Sequence, residues 1–313
     1  METNVLATLS PLAGYTDIAF REICSKMGAS EVVTEMVSCK GIVYEDRKTN
    51  DLLLISPNEK NVVVQLFGED PYYMAKAAEI VSKMNFVGID INMGCPAPKI
   101  VKNNSGSALL DQPDLVYKIT KEVVGATDLP VSVKIRKGIR DNSSIEAAKA
   151  IEAAGASRIT VHGRTREEYY TGFSDWDYIA EVAKLLDIPV FGNGDIDSYD
   201  TAFKRINDCN LKGISIGRAA IGNPFIFEEI SKKSKGEDYF EPSFADRIEK
   251  AREHLKLAVE YKNERLGILE MRKQFVGYFK GMPGSKEARD KINRLNSYES
   301  VDEELIRFKE KFI

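Results

Sequence analysis

The stretch VSVKIRKGIRDNSSIEAAKAIEAAGASRITVHG, residues 131–163, contains the repeating unit from which the fold can be predicted. It begins and ends with a short run rich in β-branched residues, VSVKIR and RITVHG, which is typical of a buried strand. Between them, IEAAKAIEAAGA places apolar residues three and four positions apart, which predicts an amphipathic helix. A strand, a helix and a second strand in this order predict two parallel strands joined by a crossover.

Strand-like runs of this kind occur eight times along the chain. Most intervals between them carry a helical pattern, and the interval at residues 37–61 is the least clear. Eight nearly continuous apolar runs, each followed by a crossover, predict an α/β fold of the (β/α)8 TIM-barrel type. An open doubly wound sheet is the weaker alternative, because SPLAGYTD after the first run lacks a G-x-G-x-x-G phosphate turn. The runs are VLATLSPLAG, VVTEM, VVVQLFG, GIDINMG, VSVKIR, RITVHG, PVFGNG and GISIGR.

The pattern changes after residue 230, where KKSKGEDYFEPS is polar, charged and interrupted by Gly236 and Pro242. The remaining chain reads as helical and contains no strand-like run, apart from a loop predicted at KGMPGSKEA. We therefore predict two domains, a TIM barrel at residues 1–240 and a small all-helical domain at residues 241–313.

Composition narrows the class of protein. The chain has 313 residues, of which 43% are hydrophobic and 29% charged, as in a soluble globular protein. No apolar run is long enough to cross a bilayer, and METNVLATLSPLAG lacks the features of a signal peptide, so we expect a cytoplasmic protein without membrane contact. Four scattered cysteines and two histidines favour neither a disulfide framework nor a metal site; they are Cys24, Cys39, Cys95, Cys209, His162 and His254.

Charge is unevenly distributed. The formal net charge of -4 argues against indiscriminate coating of nucleic acid. Residues 246–294, however, hold thirteen Lys and Arg against eight Asp and Glu, within the helical segment. This local excess fits either a solvated helical face or a surface that binds an anionic partner.

Polar residues recur where the predicted strands end. Barrel enzymes carry their chemistry at this carboxyl-terminal face, so these positions are candidate site residues. They are Ser10 and Pro11, Gln65, Asn92 and Cys95, Lys134 and Arg136, His162 and Arg164, the GNGD stretch at residues 192–195, and Gly217 with Arg218.

The last two strand ends indicate an anion site. Gly194 and Gly217 let backbone amides approach a ligand, and loops after strands 7 and 8 often hold a phosphate in this fold. Arg218 adds a planar charge suited to phosphate, and Lys134 on the rim can stabilise negative charge. A phosphorylated aromatic cofactor lying across the barrel mouth would explain these placements.

Longer stretches resemble the bacterial dihydrouridine synthases, flavin enzymes that reduce uridines in transfer RNA. The resemblance extends over nearly the whole chain and is most specific around Cys95. The stretches are SPLAGYTD, VQLFG, DINMGCPAPKIVKNNSGSALL, VKIRKG, VHGRTREEYYTG, GNGDI, IGRAAIGNPFIF and MRKQFVGYFKGMPGS. Leu12 and Tyr15 depart from the family's commonest methionine and valine, and Tyr15 could alter the pocket wall.

The resemblance implies FMN as cofactor and NADPH or NADH as reductant. It places Pro11, Leu12, Ala13 and His162 beside the isoalloxazine ring and Gln65 and Lys134 at its polar edge. It further assigns the cofactor's phosphate to Asn193, Gly194, Asp195, Gly217 and Arg218, and the uracil to Asn92, Lys134, Arg136 and Tyr170.

Cys95 then has a chemical role. Saturating the 5,6 double bond of uracil needs a hydride at one carbon and a proton at its neighbour. A thiol with an ordinary pKa of roughly 8.5 is protonated at neutral pH and can act as general acid. Gly94 and Pro96 would fix the loop that carries it.

The resemblance implies a folded RNA as substrate, and a uridine stacked in that RNA must be flipped out to reach the barrel mouth. This makes the basic helical segment a predicted RNA platform, with Arg272, Lys273 and Lys280 as leading phosphate contacts. We expect the chain to act as a monomer on tRNA.

Three alternatives stay open. A flavin barrel oxidoreductase acting on a small molecule, such as a relative of dihydroorotate dehydrogenase, carries a similar N-x-x-C-P turn but needs no basic helical segment. A non-catalytic RNA-binding barrel would need neither Cys95 nor Lys134. Ribosomal RNA could replace tRNA as the target, and the sequence does not specify which uridine is reduced.

Overall fold

The computed structural model describes residues 5–140 and 144–313. Residues 1–4 lie outside the described residues. They are the start of the predicted first domain and of the stretch METNVLATLSPLAG, in which no signal peptide is expected. Eight parallel strands close into a barrel in sequence order, with β1 hydrogen-bonded to β8 through the pair Leu6 and Gly213. The predicted TIM barrel is therefore confirmed. The strands are β1 Leu6–Leu9, β2 Glu31–Ser38, β3 Val62–Phe67, β4 Gly88–Met93, β5 Val131–Arg136, β6 Arg158–His162, β7 Val190–Asn193 and β8 Gly213–Ile216.

Helices follow the strands around the outside. Their inward faces carry the apolar residues of the predicted spacing, as in α9, where Ala202, Ile206 and Cys209 are buried. Side chains cap several amino ends: Asp17 accepts from the Phe20 amide of α1 at 2.9 Å. The barrel helices are α1 Ile18–Lys26, α2 Cys39–Val43, α3 Arg47–Asp51, α4 Pro71–Val81, α5 Pro98–Lys102, α6 Pro113–Gly125, α7 Ser144–Ala153, α8 Trp176–Leu185, α9 Tyr199–Cys209 and α10 Phe225–Ser234.

The interval between β2 and β3 differs from the others. It holds two five-residue helices, α2 and α3, in place of one long crossover helix. Ser38 and Asp46 cap their amino ends, which explains why two short turns form where no continuous apolar periodicity is present.

Four further helices follow the barrel: α11 Phe244–Tyr261, α12 Glu264–Tyr278, α13 Ser285–Ile292 and α14 Tyr298–Lys309. They enclose an apolar cluster of their own that includes Leu255, Phe275 and Phe308. Residues 235–243, between α10 and α11, contain neither helix nor strand. The division into domains at residue 240 stays a prediction.

Polar contacts fix the helical segment beside the barrel mouth. The Lys262 ammonium pairs with Asp17 at 2.7 Å, just after the loop that follows β1. The Gln274 side chain accepts from the Gly222 amide at 3.0 Å and donates to the Tyr15 carbonyl at 3.4 Å. A Cβ at Gly222 would lie 2.3 Å from the Gln274 carbonyl oxygen, so glycine is required for this close approach.

None of the described helices is both long and apolar enough to cross a membrane.

Candidate active site

The carboxyl ends of the strands surround a cavity of about 990 Å³. Cavities that bind small molecules commonly have volumes of about 300 to 1,000 Å³. Every barrel residue to which the resemblance assigns a role lines this cavity, and so does Lys280 from the helical segment. The barrel residues are Pro11, Leu12, Ala13, Gln65, Asn92, Cys95, Lys134, Arg136, His162, Tyr170, Asn193, Gly194, Asp195, Gly217 and Arg218.

Cys95 lies on a loop whose backbone is held in place by hydrogen bonds from neighbouring residues. The Asn92 side-chain oxygen accepts from the Cys95 amide at 2.9 Å and from the Gly94 amide at 3.2 Å. The Cys95 carbonyl accepts from the Ser107 amide at 3.1 Å and from its hydroxyl at 2.9 Å. Arg136 donates to the Gly94 carbonyl at 2.9 Å. None of these contacts uses the thiol, so the sulfur is positioned by the loop and stays available.

Burial determines the protonation state of this thiol. Removal from water raises the pKa of Cys95, which opposes the lowering effect of the Ala97 amide and of the Arg136 and Lys134 charges. The raised pKa keeps the sulfur protonated at neutral pH. A protonated thiol is a proton donor rather than a nucleophile.

A chain of buried polar side chains forms the floor near β3 and β4. Asn92 donates to the Gln65 oxygen at 2.8 Å, and Gln65 donates to Asp90 at 2.7 Å. Asp90 also accepts from the Ser132 hydroxyl at 2.6 Å. Asn92 thus links the Cys95 loop to the floor, and both ends of its amide are already engaged.

Lys134 is a cation that lines the cavity from the end of β5. Its ammonium donates to the Asn193 side chain at 3.0 Å, and Asn193 in turn donates to the Ser215 carbonyl at 2.6 Å. Burial and the nearby Arg136 charge lower the pKa of Lys134 from 10.5 to about 8. The lysine is therefore mostly protonated at neutral pH and lacks a carboxylate in direct contact among the described residues.

His162 ends β6, Arg164 lies just after it, and the two side chains have different environments. Burial, reinforced by the surrounding cations, lowers the pKa of His162 well below its usual value, so the imidazole is neutral. Arg164 has a side chain only 2% exposed, and its Nη2 donates to both carboxylate oxygens of Asp195, at 2.9 and 2.8 Å. It also donates to the Thr171 and Gly172 carbonyls at 3.0 and 2.7 Å. Arg164 therefore supports the loop after β6.

The predicted anion site lies at the ends of β7 and β8. Gly194 has a φ of +120°, and a Cβ there would lie 2.4 Å from the Ser174 hydroxyl and 3.0 Å from the His162 ring. Gly217 has room for a side chain, so its glycine is not required by packing. Arg218 reaches the Asp195 carboxylate at 3.3 Å with about half its side chain exposed.

Tyr170 bridges two arginines across this site. The Arg136 and Arg218 guanidinium carbons lie 5.5 and 4.9 Å from the centre of its ring. These are cation–π distances, so the ring helps to hold both cations at the cavity wall.

The predicted RNA contacts in α12 and in the turn that follows it point in different directions. Lys273 places its ammonium 5.0 Å from the centre of the Tyr15 ring, next to the mouth, and Lys280 lines the mouth itself. Arg272 instead donates to the Leu295 carbonyl at 3.2 Å inside the helical segment. The structure therefore brings Lys273 and Lys280 to the cavity and does not bring Arg272 there, because neighbouring residues on a helix face different sides.

Several residues of the site were not assigned a role from the sequence. Arg164 was noted only as a strand end, and its pairing with Asp195 depends on two loops that lie far apart in the chain. Met36 and Tyr169 line the cavity, and Glu35 accepts from the Gly14 amide. Phe173 stands at the rim with 89% of its side chain exposed. The only sequence signal for it was an aromatic residue in a polar loop.

Comparisons with known proteins agree on the family. The model of the family described as dihydrouridine synthase (Dus) matches residues 8–313. The chain is 36% identical over 312 residues to a probable tRNA-dihydrouridine synthase of Rickettsia conorii, covering 98% of this chain and 94% of that protein. It is 39% identical over 290 residues to tRNA-dihydrouridine synthase B of Pseudomonas aeruginosa, covering 92% of this chain and 87% of that protein.

Among solved structures, a 2-naphthoyl-CoA reductase complex is similar with a TM-score of 0.57 at 12% identity, covering 76% of this chain and 53% of that one. A variant of NCR from Zymomonas mobilis gives a TM-score of 0.53 at 16% identity, covering 74% of this chain and 87% of that one. At these identities the likeness concerns the fold alone. The family match spans nearly the whole chain, and on that basis this protein belongs to the dihydrouridine synthase family.

Proposed function

We propose that this protein is an FMN-dependent enzyme that consumes NADPH to reduce the 5,6 double bond of specific uridines in tRNA to dihydrouridine. The observation that carries the proposal is that Cys95, the partly buried Lys134 and the crowded Gly194 all line one cavity at the carboxyl ends of the strands. Membership of the family and the names of the relatives support the reaction.

The residues present fit FMN. The cavity volume of about 990 Å³ lies at the upper end of the range for small-molecule sites, and Gly194 lines it with no side chain between its backbone and a ligand. Arg218 would hold the phosphate, and the Lys134 ammonium would bind the polar edge of the ring. A neutral His162 can pack beside an aromatic ring without adding charge. When bound, FMN supplies the hydride after its own reduction by the nicotinamide nucleotide.

Asp195 has a positioning role in this proposal. Its carboxylate would repel a phosphate, and it already accepts from Arg164, from Arg218 and from the Ser174 amide at 2.7 Å. The Ser174 amide and Arg164 lower the pKa of Asp195 despite its partial burial, so it stays ionised. Asp195 therefore orients the two arginines, and the phosphate contacts come from Arg218 and from backbone amides.

Cys95 donates the proton. Its thiol is held at a fixed place on the rim by a loop that the Asn92 amide closes. Because burial raises the pKa of the thiol, the sulfur carries its proton at neutral pH. It can deliver that proton to one carbon of the uracil 5,6 double bond, next to the carbon that accepts the hydride. Arg136, which donates to the loop at Gly94, and Tyr170 would border the base.

The helical segment provides the second part of the proposal. Lys280 at the cavity edge and Lys273 beside Tyr15 are close enough to the mouth to contact the phosphates on either side of a flipped uridine. We propose that the barrel and this basic surface together bind tRNA, and that the protein acts as a monomer in the cytoplasm.

An experiment separates this function from its alternatives. The purified protein, reduced with NADPH under anaerobic conditions, is mixed with an unmodified tRNA transcript, with a ribosomal RNA transcript or with orotate. We expect a flavin absorption spectrum and dihydrouridine in the digested tRNA, detected by mass spectrometry. Reoxidation of the reduced flavin by orotate but not by tRNA would instead favour a small-molecule oxidoreductase. Dihydrouridine found only in the ribosomal transcript would make ribosomal RNA the target. RNA binding without bound flavin would favour a non-catalytic RNA-binding protein.

A further inference from the structure

Phe173 is an exposed aromatic residue at the edge of the active-site cavity. The residue is 89% exposed, whereas Phe20 and Phe275 are at most 1% exposed. Among the described residues, no aromatic ring or cation pairs with the Phe173 ring. An exposed phenyl group gains nothing from the hydrophobic effect in the isolated protein.

The backbone on both sides of Phe173 is held firmly. The buried Arg164 donates to the Gly172 carbonyl at 2.7 Å, on the amino side. On the carboxyl side, the Ser174 amide donates to Asp195 at 2.7 Å and its hydroxyl donates to the Asn193 carbonyl at 3.2 Å. The exposure of the ring therefore comes from an anchored backbone that directs it outward.

The other aromatic residues of this loop are occupied. The Tyr170 ring lies near two guanidinium groups, at 5.5 and 4.9 Å, and the Tyr169 hydroxyl donates to the Pro96 carbonyl at 2.9 Å. Phe173 is the loop aromatic that has no such partner among the described residues. A planar ligand that stacks on it would supply that partner.

We propose that Phe173 stacks on the base of a nucleotide next to the uridine that enters the cavity. This inference rests on the proposed function, because extruding a uridine from RNA uncovers the faces of the neighbouring bases. A rigid aromatic ring at the mouth covers one such face with little loss of conformational freedom. Two cations at the same mouth, Lys273 and Lys280, suit the phosphates that accompany the base. Phe173 is thus a substrate-binding residue outside the catalytic group.

The first test measures tRNA binding directly. Phe173→Ala should raise the Kd for tRNA about 5- to 150-fold, the range given by stacking of one base on an aromatic ring. Phe173→Trp should keep the wild-type Kd, whereas Phe173→Leu, which preserves apolar bulk, should lose most of the affinity. Phe240 is the matched control: it is 83% exposed and lies away from this cavity, so Phe240→Ala should leave the Kd unchanged.

The second test identifies the stacked base. A tRNA with an abasic residue next to the uridine that the wild type reduces should bind the wild type and Phe173→Ala with similar affinity. Full affinity of Phe173→Ala for intact tRNA, or full affinity of Phe173→Leu, would refute stacking. A higher KM for NADPH with unchanged tRNA affinity would also refute it, since the ring would then contact the reductant. If the wild type itself neither binds nor reduces tRNA, the proposed function fails, and that outcome needs no variant to recognise.

Discussion

Replacing Cys95 with alanine separates the two halves of the proposed reaction. The substitution removes the sulfur and leaves the loop in place, because the contacts that hold the loop come from Asn92, Ser107 and Arg136 and involve only backbone atoms of residues 94 and 95. The free energy of unfolding should change by less than about 1 kcal/mol, as expected for a small change at a half-buried position. A loss of activity would then report chemistry rather than misfolding.

The magnitude follows from the role of a general acid. Positioned proton donors contribute about 100- to 10,000-fold to a rate, which corresponds to about 2.7 to 5.4 kcal/mol in the activation free energy. Uridine reduction by Cys95→Ala should slow by this factor, while NADPH oxidation in the absence of RNA should keep its wild-type rate because that step does not involve the uracil.

The assay is a single-turnover experiment on uridine reduction. Enzyme reduced with NADPH is mixed with unmodified tRNA without oxygen, and flavin reoxidation and dihydrouridine are followed together. Cys209→Ala is the control, because Cys209 is buried at the end of α9 and does not line the cavity. Wild-type rates of dihydrouridine formation in Cys95→Ala would refute the assignment.

The pH dependence of the wild-type rate tests the same reasoning. A general acid works only while protonated, and burial raises the pKa of Cys95, so the thiol stays competent as pH rises through neutrality. Lys134 loses its proton first, with a pKa of about 8. The rate should therefore fall as pH rises through about 8, and a fall centred below neutral pH would contradict the assignment of a protonated thiol.

Three further predictions concern the cofactor, the RNA and the backbone. Arg218→Ala should release flavin by losing a charge-assisted phosphate contact, whereas Lys134→Ala should keep more flavin but turn over slowly; equal flavin absorbance and equal rates would show that the roles are wrong. Replacing Lys273 and Lys280 together with glutamine should make the slope of log affinity for tRNA against log salt shallower by about 1.4 to 1.8, and an unchanged slope would mean that neither binds phosphate. Gly194→Ala should lower the free energy of unfolding by about 2 to 4 kcal/mol in urea denaturation, because a Cβ there would overlap Ser174 at a φ of +120°; an unchanged midpoint would contradict the crowding.

The barrel and its candidate site residues could be predicted from the sequence, because the carboxyl end of every strand in this fold lies at the same face of the barrel. Once eight strands are recognised, residues as distant as Gln65 and Arg218 must face the same mouth. The hydrogen bonds among them could not be predicted. The link from Asn92 to Gln65 depends on the register of β3 against β4, and side-chain direction within a register is set by packing.

Arg272 and Lys273 illustrate the limit for the helical segment. Charge counting treated them alike, but adjacent residues on a helix point about 100° apart, and the packing of α12 decides which of the two faces the barrel. Phe173 shows a different limit. Its outward direction results from Arg164 and Asp195, which hold the backbone on either side and belong to the loops after β6 and β7.

The pKa of Cys95 depends on two opposing effects, nearby positive charge and burial, which cannot be predicted from a sequence motif. Two cations, Arg136 and Lys134, act to stabilise a thiolate, and a cysteine under their influence alone would become a nucleophile. Burial acts in the opposite direction and is the larger effect, so the pKa of the thiol rises and the proton is retained. The same burial lowers the pKa of Lys134 and keeps His162 neutral. Burial at this cavity therefore leaves a protonated thiol beside a group of cations, the combination that the proposed reaction needs to add a proton to uracil while negative charge develops on its ring.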